Sequence, residues 1–180
     1  MRLALLLLLL MPTGVFATTC PPVPDRSEEK AALFKALALS ADPQTARAAA
    51  DELWRIWMTA PDRNAQAMLN HGMGLRKGFD FEGSVAVLNE LVAYCPDYAE
   101  GWNQRAFSRY LGGDFKGAIE DIDRTLEIEP DHFGALSGKV LSLNRIGQSD
   151  LAQAVLRRAL KVHPWLNERG ALLPEKGDKL

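Results

Sequence analysis

The chain has little histidine, little cysteine and no basic tract. Its 180 residues include three His and two Cys, and the formal charge is −2. A phosphate backbone needs clustered Lys and Arg, so nucleic acid is not an expected partner. His71, His132 and His163 stand apart, with no second His or Cys at ligand spacing, which argues against a metal centre. His71 is expected on the packing side of its helix, partly buried. No G-x-S-x-G, H-E-x-x-H, Gly-rich phosphate loop or H-x-E…C-x-x-C pattern occurs. The chain is therefore read as a non-enzyme with no cofactor. The acidic run Glu120, Asp121, Asp123, Glu127, Glu129 and Asp131 lacks the Gly-centred loop of a calcium site and is expected to be a solvated outer face.

Only one long apolar run is present. Arg2 precedes Leu3 to Met11, then Pro12, Gly14 and Val15-Phe16-Ala17 follow. That layout is a secretory leader over 1–17, with an uncleaved anchor as the alternative. The run is shorter than the roughly 20 residues that span a bilayer. A lipoprotein site at Cys20 fits less well, because Thr19 stands where a small residue is usual. With the leader removed, no stable membrane span is expected.

Export would place Cys20 and Cys95 where disulfides persist. Two cysteines allow one intrachain pairing, which would pin the Pro-rich segment 18–26 to the folded body. Two free thiols are the alternative.

What the chain does have is a period. Pro96, Pro130 and Pro164 are 34 residues apart. In that register Phe81, Phe115 and Ser149 share a slot, as do Ser84, Ala118 and Ala152, then Leu88, Ile122 and Leu156. Met68, Trp102 and Leu136 correspond, and so do Gly72, Ala106 and Val140. Fixed self-similarity of this length marks a repeat array. Each unit reads as two helices joined by a Gly-containing turn. In "GDFKGAIEDIDRTLEIEPD", Ala118, Ile119, Ile122 and Leu126 lie on one face. Proline ends each second helix because it removes a backbone donor.

The interval, Trp102 and the segment ending at Pro130 resemble the tetratricopeptide repeat (TPR). Trp102, Ala106, Gly113, Phe115, Ala118, Leu126 and Pro130 fall in family slots. The next unit matches with Gly147, Ala152, Ala159, Leu160 and Pro164. In the first unit Gly78 sits one place early; in the second, Arg105 and Arg109 stand where the pattern has larger apolar residues. The resemblance implies an all-α solenoid with repeats at 65–98, 99–132 and 133–166 and a C-terminal tail at 167–180. Upstream, Asp42 and Pro43 open a helix that Pro61 ends, and Asp25-x-x-Glu28 suggests a capping box. Residues 27–64 are read as a helical hairpin covering the first repeat.

The resemblance also implies that the first helices line a hollow face that holds a peptide or partner protein. In register, the candidate binding residues are Leu69, Asn70, Met73, Arg76, Asn103, Gln104, Phe107, Tyr110, Leu141, Asn144 and Arg145, with Gln66, Lys77 and Ser137 beside them. Amides can bond an extended backbone, and Met73, Phe107 and Tyr110 can hold apolar side chains. The clamp with which some TPR proteins grip carboxyl-terminal chaperone tails is missing, since its slots hold Leu69, Met73, Gln104, Gly134 and Gly138. At the far end, Trp165, Leu166, Leu172 and Leu173 could cover Leu151 and Val155. Otherwise an apolar end stays open to a partner or a second copy, and a homo-oligomer remains open. The alternative function is a scaffold or assembly factor of the cell envelope, acting through its flank or end. The array and the short leader together point to a bacterial periplasm.

Overall fold

The computed structural model describes residues 19–174. The expected leader and the last part of the tail lie outside the described residues. Helices α1 (Ser27–Ala38) and α2 (Pro43–Trp57) form a hairpin. Three pairs follow: α3 (Arg63–Lys77) with α4 (Phe81–Tyr94), α5 (Ala99–Leu111) with α6 (Phe115–Ile128), and α7 (Phe133–Arg145) with α8 (Ser149–Val162). A short 3-10 helix, Asn167–Ala171, ends the described chain, and no strand occurs among the described residues. The fold is an all-α solenoid in which each helix from α3 to α8 packs on the next.

Local chemistry sets the boundaries. Asp42, Asp62, Asp80 and Asp114 cap α2, α3, α4 and α6 by accepting first-turn N–H groups. Pro43 sits in the first turn of α2, where its missing N–H costs nothing. The expected Asp25–Glu28 box does not form. α1 starts at Ser27, and Asp25 accepts the Ser27 N–H at 2.9 Å instead. Between paired helices, Gly113 (φ 88°) and Gly147 (φ 78°) take the left-handed conformation the turn requires. The same slot in the first pair holds Phe79, which adopts φ 64° without glycine's freedom. That is the structural consequence of Gly78 lying one place early.

Small residues let the paired helices approach. A side chain at Gly72 would run into Leu88, and Ala106, Ala118 and Ala152 are almost wholly buried. Ser84 Oγ donates to the Gly72 carbonyl at 2.7 Å, and Ser84 and Ser108 share a further 2.7 Å bond. Arg105 and Arg109 have a partner in α6. Asp121, 2% exposed, takes Arg105 Nη2 at 2.5 Å and Arg109 Nη1 at 3.0 Å. The expectation of a solvated acidic face therefore fails at Asp121, because two arginines have replaced apolar residues opposite it. His71 is exposed rather than partly buried.

The hairpin does not cover the first repeat. It runs as a strap along the row of turns that join one pair to the next. The Cys20–Cys95 disulfide, with Cα atoms 5.2 Å apart, fastens its start beside the first of these turns. Lys30 pairs with Glu129 at the second turn. The Ser40 carbonyl receives the Trp165 indole N–H at 3.3 Å at the third. α2 then returns, with Trp54 and Trp57 against His132 and Phe133. The Tyr98 hydroxyl donates to the Trp57 carbonyl at 2.7 Å, back at the first turn.

The reason lies in the buried face of α2, which reads Ala46, Ala49, Ala50, Leu53, Ile56, Trp57. Its alanines permit close approach, and the Trp54 ring fills the space a side chain at Gly134 would occupy. Leu37, Leu53 and Trp57 join Ile122, Leu126, Leu136 and Ala159 in one core. Each such large side chain contributes about 1.5–3 kcal/mol relative to exposure.

Candidate functional site: a cleft beside the strap

Tyr98, His132 and Leu166 occupy one slot of the 34-residue register, and all three are buried beneath the strap. His132 caps α7, since its Nδ1 accepts the Ala135 N–H at 3.1 Å. Its Nε2–H is thereby left to donate to Glu100 Oε2 at 2.8 Å. Glu100 is fully enclosed, and Asn103 and Gln104 donate to it as well. A buried carboxylate persists only when hydrogen-bonded in this way. Its position in the first turn of α5 adds the favourable end of the helix dipole. Burial pushes the Tyr98 phenol well up from its ordinary value, and the Glu100 carboxylate adds to the shift.

Gln104 carries the network outward. Its side-chain oxygen accepts from Arg76 Nη2 at 2.6 Å, and its carbonyl accepts from Arg76 Nη1 at 3.2 Å. Ser108 takes a further bond from Arg76, whose guanidinium lies 4.7 Å from the centre of the Phe107 ring. Burial pulls Arg76 down from its usual value, and Glu100 opposes the shift.

Above this network opens a cleft of about 630 Å³. α2 forms one wall and the segment 163–169 the other, while α5 and α7 form the floor. Such a volume falls in the range of roughly 300–1,000 Å³ common to ligand pockets. Phe107 and Leu141 present exposed apolar side chains (47% and 39% of their surface) to it. Ser142, enclosed in its lining, has a hydroxyl without a hydrogen-bond partner among the described residues.

Of the residues named from sequence, Arg76, Asn103, Gln104, Phe107, Tyr110 and Leu141 meet in this cleft, with Ser137 beside them. Asn103 and Gln104 have most of their amide capacity committed to Glu100 and Arg76. The others lie elsewhere. Leu69 is wholly buried in a second core with Leu88 and Leu91, and Met73 packs against it. Asn70 is exposed and bonds Gln66 at 3.1 Å. Asn144 is exposed outside the cleft. Arg145 stacks on Phe115, 4.6 Å from the ring centre.

The register treated the first helix of each unit as equivalent. The strap breaks that equivalence, because it approaches the later units and leaves α3 mostly outside the cleft. Sequence reasoning also missed the wall residues Arg47, Asp51, Trp54, Trp165, Glu168 and Arg169. One signal was available: Gly134 and Gly138 are small where a first helix usually carries a contacting side chain, and Trp54 lies against Gly134. No group of His, Cys, Asp or Glu suited to a metal ion occurs among the described residues. Nor is any described helix long and apolar enough to cross a membrane.

Three helix pairs at a 34-residue interval, with glycine or its substitute at each internal turn, define an α-solenoid of helix–turn–helix repeats. Searched against family models, the chain matches none. It is 31% identical over 132 residues to a TPR repeat-containing protein of Rhizobium etli, covering 73% of this chain and 65% of that protein. It is 30% identical over 66 residues to tetratricopeptide repeat protein 36 of Xenopus tropicalis, covering 37% of this chain and 33% of that protein. The chain thus spans less than two thirds of either relative. With the repeat register and the helix pairs, these alignments support a tetratricopeptide repeat family for the chain.

Proposed function

We propose that this is an exported interaction module that holds an extended segment of a partner protein in the cleft between the strap and the C-terminal segment. The single observation that carries the reading is the exposure of Phe107 and Leu141 inside a roomy cleft of mixed polar and apolar lining. Apolar side chains left open in a concave wall gain about 25 cal/mol per Å² when a partner covers them. Arg76, Tyr110 and Ser137 supply polar groups that fix orientation. Export is supported by the leader-like start and by the disulfide, a bond that persists in oxidising compartments.

Affinity capture from envelope extract tests the reading. A partner held by the native chain should be lost with Phe107→Ala/Leu141→Ala while the helical signal is kept. Unchanged capture by that variant would contradict it. A fusion of residues 1–26 to an enzyme active only outside the cytoplasm should be active, and an inactive fusion would overturn export.

A second reading rests on the far end. Leu151 and Leu173 remain 56% and 62% exposed, although Gln153 and Arg157 bond the tail backbone at 171–173. A scaffold using that end would lose its partner with Leu151→Glu and keep it with the cleft variant.

A further inference from the structure

We infer that the segment held in the cleft is proline-rich, with two prolines three positions apart in a polyproline II helix, one seated on Trp54 and Trp165 and the other on Phe107 and Leu141. The inference deepens the cleft reading above and rests on it. One end of the cleft is aromatic, and its rings touch in series. Trp54 and Phe133 have centres 5.6 Å apart, and Phe133 and His163 follow at 4.9 Å. His163 Nδ1 accepts the Trp165 N–H at 3.2 Å, and Trp54, Phe133 and Trp165 pack into one cluster. Aromatic-lined grooves of this kind receive proline rings.

The same end carries hydrogen-bond donors that the fold leaves unspent. His163 is 8% exposed and lines the cleft. Burial pulls its ring below the ordinary 6.5, so the ring is neutral at pH 7. With Nδ1 accepting, its proton sits on Nε2. That N–H, the Trp54 indole N–H and the Tyr110 hydroxyl make no hydrogen bond to a described residue. None of the three is enclosed, because the buried side-chain polar atoms without a partner among the described residues are Trp57 Nε1 and Ser142 Oγ. Ligand carbonyls would meet them.

The cleft offers little to ligand N–H groups. Its floor consists of helix faces, whose backbone groups are spent within α5 and α7 and present no strand edge. Asn103 and Gln104 have most of their capacity committed to Glu100 and Arg76. Of the carboxylates in the lining, Glu168 takes the Ser137 hydroxyl and Asp51 is exposed. Burying an N–H without an acceptor is costly, and proline has none to bury. The match is thus one of partial charge, with donors on the protein facing acceptors on the ligand.

The spacing agrees. Gly134, Ser137, Gly138 and Leu141 lie on one face of α7 and line the cleft. The Trp54 ring sits against Gly134, and from there to Leu141 the helix rises about 10 Å. Residues three apart in polyproline II stand on one side, about 9 Å from each other.

The test is selection of randomised nine-residue peptides on the disulfide-bonded chain. The native protein is compared with Trp54→Phe/Tyr110→Phe, which keeps aromatic rings and removes two donors, and whose fold is checked by circular dichroism. The expected result is enrichment of Pro-x-x-Pro on the native protein. A synthetic peptide from that pool, acetylated and amidated, should bind the donor variant about tenfold more weakly. It should lose binding to Phe107→Ala/Leu141→Ala.

Enrichment of apolar peptides without proline that no longer bind Phe107→Ala/Leu141→Ala would overturn the inference and leave the cleft reading standing. Equal affinity of the proline-rich peptide for the native protein and the donor variant would likewise overturn the inference. Proline-rich peptides that still bind Phe107→Ala/Leu141→Ala, or recovery of no peptide from the native protein, would count against both.

Discussion

Trp57 lies flat on His132, with ring centres 3.9 Å apart and planes tilted by 21°. The contact joins the returning helix of the strap to the cap of α7. It seals the Glu100 carboxylate beneath it. Replacing Trp57 with alanine removes the seal and a side chain 4% exposed. The expected loss is about 3–5 kcal/mol of stability, read by chemical denaturation. A loss under about 1 kcal/mol would show that the strap is loosely held.

The disulfide acts on the same element from its other end. Cys20 and Cys95 are separated by 75 positions, so the crosslink closes a long loop in the unfolded chain. Cys20→Ser/Cys95→Ser is expected to lower stability by about 4 kcal/mol. Reduction of the native protein should give the same shift in denaturation midpoint.

Phe79 tests the turn register. It stands where Gly113 and Gly147 stand in the later pairs, and 82% of its surface is exposed. Its left-handed backbone costs about 1–2 kcal/mol, and little burial offsets that. Phe79→Gly should therefore raise stability by about 1 kcal/mol. A drop in stability would mean that its ring, 6.3 Å from Phe81, holds the edge together.

Stability should depend on pH in two windows. Burial lowers the pKa of His163 from its usual 6.5, so the folded chain binds its proton less readily than the unfolded chain does. This contribution is complete above about 6.5 and is lost as pH falls below it. Asp62 is lowered by the Ala65 N–H and then by the Tyr94 hydroxyl, and its contribution is present above the usual carboxylate range and lost as pH falls through it. Denaturation midpoints at stepped pH should show both, with His163→Gln removing the upper window and Asp62→Asn narrowing the lower, to which Asp25 and Asp42, lowered by the Ser27 and Thr45 N–H groups, also contribute.

Asp121 provides a cycle. Asp121→Ala leaves Arg105 and Arg109 facing a buried gap and should cost about 3–5 kcal/mol. Asp121→Leu with Arg105→Leu and Arg109→Leu, which restores the apolar residues usual in the repeat, should recover most of it. Failure to recover would show that the three charges do more than satisfy one another.

The array was legible because its signals are local and repeated. Pro96, Pro130 and Pro164 mark the ends of second helices, and Gly113 and Gly147 mark internal turns. Asp42 with Pro43 marks the start of α2. The position of the hairpin was not legible. Its packing depends on residues about 75 to 80 positions apart, Trp54 with Gly134 and Trp57 with His132, and neither pair has a periodic partner. The cleft followed the same division. Phe107 and Leu141 could be placed from the register, whereas Arg47 and Arg169 depend on where strap and tail come to rest. Leu69 was assigned to the hollow face by the same register, but lies in the core of the first pair.

The account depends most on the strap crossing the inter-repeat turns and forming one wall of the cleft. Nuclear Overhauser contacts of the Trp54 and Trp57 indole protons test that directly. Contacts from Trp57 to the His132 ring and from Trp54 to the Gly134 α-protons are predicted. Indole contacts confined to α3 and α4, as for a hairpin stacked on the first pair, would contradict it.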